Sequence, residues 1–114
     1  MCAPTFVANH PSLWCLPQII ARSPRRPTVI NLSLGAGVGV GTTLTTFAET
    51  AVGHGITVIA AAGNSQALAC GLAPAVSSQV LTVASVSELD WFSSSFSNHG
   101  SCVDLLAPGS SIVS

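Results

Sequence analysis

The alternation of apolar and polar positions changes period several times along the chain. Residues 28–33 form a short, β-branched apolar run that leads into a glycine-rich stretch, residues 35–41, the pattern of a strand entering a turn. Leu44, Phe47, Ala48, Ala51 and Val52 then fall at i, i+3, i+4, i+7 and i+8, with threonines and Glu49 on the opposite face. That spacing predicts an amphipathic helix, stopped by Gly53 and Gly55. The continuous apolar run 56–61 predicts a strand buried on both faces of a parallel sheet. Strand, helix and strand make a βαβ unit, right-handed by the general rule. Residues 80–84 and 102–106 predict two further short strands, and residues 112–114 the start of another. No repeat of fixed period is present, and the fold class predicted is α/β with a mostly parallel sheet.

Composition narrows the function classes. A hydrophobic fraction of 48% with 6% charged residues and a mean hydropathy of +0.63 excludes an intrinsically disordered chain. The length of 114 residues accommodates one small domain. All three basic residues, Arg22, Arg25 and Arg26, lie in one proline-rich stretch that separates a leader, residues 1–23, from a Gly, Ala and Val-rich body, residues 24–114. Residues 27–114 carry four acids and no base, a formal charge of −4, which argues against a nucleic-acid partner. The absence of lysine excludes a phosphate loop ending in Gly-Lys-Ser/Thr. No run approaches the length of a membrane span. No signal peptide is visible either, because residues 1–21 have no basic start and are broken by Pro4, Pro11 and Pro17. Four cysteines, Cys2, Cys15, Cys70 and Cys102, allow three full pairings and fit an oxidising compartment.

In open parallel sheets ligands bind beyond the carboxyl ends of the strands, which directs attention to residues 35–41 and to Gly63-Asn64-Ser65. A dinucleotide fingerprint fails in both registers of the first segment, with Val40 or Thr42 at the last glycine position. No acid lies between Glu49 and Glu88 to bind a ribose. Three blocks occur in order instead: Asn31-Leu32-Ser33-Leu34-Gly35, then Ala60-Ala61-Ala62-Gly63-Asn64, then Phe96-Ser97-Asn98-His99-Gly100 running on to Ala107-Pro108-Gly109. Together they resemble the subtilisin-like serine proteases, in particular the proteinase K and aqualysin branch. The resemblance covers residues 24–114; residues 1–23 match no recognised pattern.

The resemblance implies a three-layer subtilisin-like fold, here incomplete, and a set of roles. Ser33, Leu34 and Gly35 would form an extended edge on which a peptide or protein substrate adds a strand. Ala61, Ala62 and Gly63 would line the pocket for the side chain before the scissile bond. Asn64 would donate its side-chain amide to the oxyanion of the tetrahedral intermediate. Asp104, with the carbonyls of Ser78 and Val80, would match a calcium site, a hard cation on oxygen ligands; no other cofactor is implied. Cys70 and Cys102 would pair as a disulfide, which also accounts for them better than a zinc site with His99, for which a fourth ligand is lacking. His54 at the helix end and His99 in a loop are read as structural, and Glu49, Glu88 and Asp90 as surface acids.

Two departures are small for small: Ala36-Gly37 stands where the family continues Gly-Gly, and Val83-Ala84-Ser85 where Val-Gly-Ala is usual. A third concerns the Asp, His and Ser triad. No Asp or Glu precedes Ser33, His10 lies in Asn-His-Pro rather than His-Gly-Thr-His, and no Gly-Thr-Ser-Met-Ala follows the Ala-Pro-Gly block. The expectation is therefore the middle segment of a serine endopeptidase, inactive alone, whose further partner is the remainder of the peptidase domain. The alternative is a non-catalytic peptide-binding or inhibitory module. A secreted or vacuolar parent follows from the resemblance.

Overall fold

The apolar runs pair side by side, as their composition requires. The computed structural model describes residues 18–21, 27–87, 95–110 and 112. Along the chain run β1 (Val29–Leu32), β2 (Ala36–Gly37), α1 (Val38–Gly53), β3 (Thr57–Ala61), a single 3₁₀ turn at Ala69–Gly71, β4 (Leu72–Ala73), β5 (Leu81–Val86) and β6 (Leu105–Pro108). Four strands form one sheet in the order β1-β3-β5-β6, every pair parallel. The short strands β2 and β4 pair antiparallel beside it. The α/β class with a parallel sheet is therefore what the chain adopts.

Register explains the core. Ile30 lies opposite Val58 and Leu32 opposite Ala60, so these four side chains share one face. Onto that face α1 lays Leu44, Ala48 and Ala51, the positions its periodicity marked, and Ile56 and Val80 complete the cluster. Ile19 and Ile20, from a helical stretch at 18–21, pack against its margin.

Several boundaries differ from those predicted by pattern. The helix begins at Val38, so most of the glycine-rich stretch is helical rather than a turn. Gly41 is the reason: a Cβ there would collide with that of Ala73 and lie 3.1 Å from the Ala36 carbonyl. Close packing of the helix on the β2–β4 pair thus outweighs the cost of about 1 kcal/mol that glycine carries in a helix. In β3 burial alternates, with Val58 and Ala60 buried, Ile59 and Ala61 half-buried and Thr57 exposed, so the run is not buried on both faces. Among the described residues α1 covers one face only, and on the other Val29 is 62% and Leu105 50% exposed. β5 extends to Val86. β6 starts at Leu105, because Cys102 and Val103 are held in a turn closed by Val103 N–H donating to Gly100 O at 3.1 Å. Ile112 lies outside any strand, and residues 113–114, like 1–17, fall outside the described residues. Among the described residues no helix is long and apolar enough to cross a membrane.

Candidate active site

Adjacent parallel strands deliver their carboxyl ends to the same edge of a sheet. β1 and β3 are such neighbours, so the segments that follow them, Ser33-Leu34-Gly35 and Ala62-Gly63-Asn64, emerge together. Ser33, Leu34 and Gly35 are all exposed and lie beyond the sheet ladder. Asn31 Nδ2 donates to Ser33 Oγ at 3.3 Å. Leu72 ties the two segments to each other. Its Cδ2 lies 2.6 Å from where a Cβ of Gly35 would stand and 2.8 Å from where one of Gly63 would stand. Both glycines therefore admit one leucine side chain, which the β2–β4 pairing sets in place.

The turn after β3 is built on a buried amide. Ala62 N–H continues the ladder to Val83 O at 2.9 Å, and Gly63 then takes φ +100°, a conformation that favours glycine. Asn98, 3% exposed, reaches this turn from the other side. Its Nδ2 donates to Ala62 O at 2.8 Å, and its Oδ1 accepts from Ser65 N–H at 2.9 Å and Ala67 N–H at 3.0 Å. Its own N–H donates to Gly63 O at 2.9 Å. Further along, the two segments join main chain to main chain: Gln66 N–H to Phe96 O at 3.1 Å, His99 N–H to Ala67 O at 3.0 Å and Ala69 N–H to His99 O at 2.9 Å. The disulfide Cys70–Cys102, S–S 2.05 Å, closes the seam. Asn64 stands at the exposed crest, its side chain in no hydrogen bond with another described residue.

The remaining singled-out residues lie away from this edge or play local roles. Ala61 is half-buried and Ala62 buried at 1% exposure, flanking the turn. His54 Nδ1 lies 2.8 Å from Thr50 O at the helix end, and His99 is exposed, its main chain in a bridge with Leu68. Glu49 is not simply solvated, since it accepts from Ser77 Oγ at 2.8 Å. Asp104 accepts from Thr82 N–H through Oδ2 at 2.7 Å, which sets its carboxylate against the start of β5, two residues beyond Val80. A carboxylate with the Ser78 and Val80 carbonyls is an all-oxygen donor set that suits a hard cation. Among the described residues no three His, Cys, Asp or Glu side chains cluster.

Sequence reasoning assigned no role to Leu72 or Asn98. Asn98 stands within one of the three motif blocks, which was its only signal; Leu72 had none.

Known proteins share this framework. The family model described as Subtilase family matches residues 12–114. The chain is 45% identical over 89 residues to an extracellular serine proteinase of Thermus sp. (strain Rt41A), a match covering 78% of this chain and 21% of the relative. It is 45% identical over 95 residues to alkaline serine exoprotease A of Vibrio alginolyticus, covering 83% and 17%. Among solved structures, a cold adapted subtilisin-like serine proteinase superposes with a TM-score of 0.80 at 41% identity, covering 88% of this chain and 35% of that one. The chain thus spans about a fifth of the length of these curated relatives. With the motif blocks, the parallel sheet and the family match in agreement over most of its length, the chain belongs to the subtilase family of serine peptidases.

Proposed function

We propose that this chain supplies the substrate-binding edge and the oxyanion donor of a secreted serine endopeptidase. The observation that carries the reading is the convergence of an exposed strand end, Ser33-Leu34-Gly35, and an exposed asparagine turn, Gly63-Asn64, on the single side chain of Leu72. A peptide lying along residues 33–35 pairs through main-chain hydrogen bonds and demands little of its side chains. The side chain before the scissile bond enters between that edge and Ala61, Ala62 and Gly63. When the nucleophile adds to the scissile carbonyl, the C=O π electrons move onto oxygen, and the Asn64 side-chain N–H donates to that oxyanion. The base takes the nucleophile's proton and passes it to the scissile nitrogen, so that collapse of the intermediate breaks the C–N bond, releases a neutral amine and returns the acyl carbonyl.

Nucleophile, base and orienting acid are not contributed by residues 1–114, which hold no acid before Ser33 and none of the family's His or Ser blocks. The 114 residues alone therefore do not hydrolyse peptides. Calcium, if bound, would be held by Asp104 with the Ser78 and Val80 carbonyls, where it would supply a stabilising charge and no part of the reaction. Extracellular relatives and a disulfide both favour an oxidising, secreted setting.

The test is Asn64→Ala in the full-length protein that carries these residues. The oxyanion exists only in the transition state, so kcat should fall with little change in KM. For a subtilisin the loss of such a donor is known to cost about 10² to 10³ in kcat. A change confined to KM removes Asn64 from the role.

A further inference from the structure

Asn98 is buried and polar, both of its side-chain polar atoms are hydrogen-bonded, and the destination of those bonds is what sets it apart. Its contacts go to Ala62 and Gly63 on one side of Asn64 and to Ser65 and Ala67 on the other. None of them goes to the Asn64 side chain. We infer that Asn98 is the positioning residue of the oxyanion donor: it clamps the main chain on both sides of Asn64 and leaves the Asn64 amide free to meet the substrate. The inference rests on the proposed role of Asn64.

Three further observations support it. Gly63 lacks a Cβ where one would stand 2.5 Å from Asn98 Nδ2, so the turn and the clamp are fitted to each other. Asn98 is itself anchored from behind, because Ser97 Oγ accepts from Ser85 N–H of β5 at 2.9 Å and donates to Asn98 O at 3.1 Å. Rigidity thus passes from the sheet through Ser97 and Asn98 to the turn. The Gln66 side chain also donates to Ser95 O, which joins the two segments at the distal end of the turn. An oxyanion donor contributes only if it is already aimed when charge develops, and a displacement of about 1 Å costs on the order of 10²-fold in rate.

The experiment is a double-mutant cycle in the full-length protein, with kcat expressed per active site counted by fluorophosphonate titration. Asn98→Leu, close in shape but without polar atoms, should lower kcat about 10- to 100-fold with KM changed by less than about threefold. In the Asn64→Ala background the same substitution should lower kcat by less than about threefold, because the donor it positions is gone. Equal losses in both backgrounds mean that Asn98 acts independently of Asn64 and overturn the inference. Should Asn98→Leu fail to fold, Asn98→Ser takes its place in the cycle, and amide exchange adds a readout independent of activity. The Ser65 and Ala67 amides should exchange slowly in the wild type and at least about tenfold faster in the variant, and unchanged exchange overturns the clamp. A wild-type protein without peptidase activity refutes the reading of Asn64, and this inference with it; an active wild type with an unperturbed Asn98 variant refutes this inference alone.

Discussion

Three glycines separate the forces that shape the turn presenting Asn64. Gly53 closes α1 with an ordinary φ, and an added Cβ meets nothing within 4 Å. Gly53→Ala should stabilise the protein by about 0.5–1 kcal/mol, from helix propensity and a less flexible unfolded chain. Gly55 also has open space around it but holds φ +77°. Gly55→Ala keeps the unfolded-state gain and adds left-handed strain of about 1–2 kcal/mol, a net loss of about 1 kcal/mol. Gly63 holds φ +100°, and its Cβ would stand 2.5 Å from Asn98 Nδ2 and 2.8 Å from Leu72 Cδ2. Its substitution meets strain of about 2 kcal/mol. In addition Asn98 must withdraw, leaving the buried Ala62 carbonyl without its donor at a cost of about 1–3 kcal/mol. Less the unfolded-state gain of about 0.5–1 kcal/mol that any Gly→Ala change brings, Gly63→Ala should therefore destabilise by about 2–4 kcal/mol, a large part of a typical total of about 5–15. Urea unfolding followed by far-ultraviolet dichroism measures all three variants, with equal slopes required for comparison. If Gly63→Ala costs no more than Gly55→Ala, Asn98 yields without penalty and the clamp described above is not tight.

Two further outcomes are expected. Replacing Cys70 and Cys102 by serine opens a loop of 32 residues and should cost about 3–4 kcal/mol in the chain-entropy model; non-reducing peptide mapping should recover the 70–102 bridge, and two alkylatable thiols there would contradict it. Calcium should raise Tm relative to a chelator, by mass action on the folded state, and Asp104→Asn should remove the difference; identical Tm values in calcium and chelator would dismiss the site.

Local pattern made the sheet and the helix legible because each depends on near neighbours. Ile30, Leu32, Val58 and Ala60 announce strands by composition, and Leu44, Ala48 and Ala51 announce one helix face by spacing. Pattern failed at residues 38–41, where glycine reads as a turn. Those residues are helical because α1 rests on Ala73, which is 32 positions beyond Gly41, and no local rule reports that distance. It failed again at Cys102 and Val103, whose apolar character suggests a strand, while the disulfide and the Gly100 turn withhold them from the ladder. The face of β3 left half-buried was misjudged for a related reason. Continuous apolarity states that a strand tolerates burial on both sides, and which sides are covered is decided by other segments.

The site shows the same division between what is local and what is not. Ser33-Leu34-Gly35 and Gly63-Asn64 each follow a strand directly, so parallel topology alone predicts that they emerge together. What holds them in register is remote in sequence: Asn98 reaches its three side-chain partners across 31, 33 and 36 positions. Such a residue leaves no periodic trace, since its neighbours in the chain, Ser97 and His99, face different tasks. Its necessity follows from an accounting of polar groups instead. A turn that bends sharply at Gly63 takes the Ala62 carbonyl and the Ser65 and Ala67 amides out of any ladder, and the main chain of Ala62, a residue 1% exposed, must find a partner. One primary amide, with donors on nitrogen and two lone pairs on oxygen, satisfies all three at once. An ionised aspartate at position 98 offers no donor to Ala62, and a leucine offers nothing. Asparagine at position 98 thus meets all three needs of the turn, and in the function proposed the exposed Asn64 serves the substrate while the buried Asn98 serves the backbone.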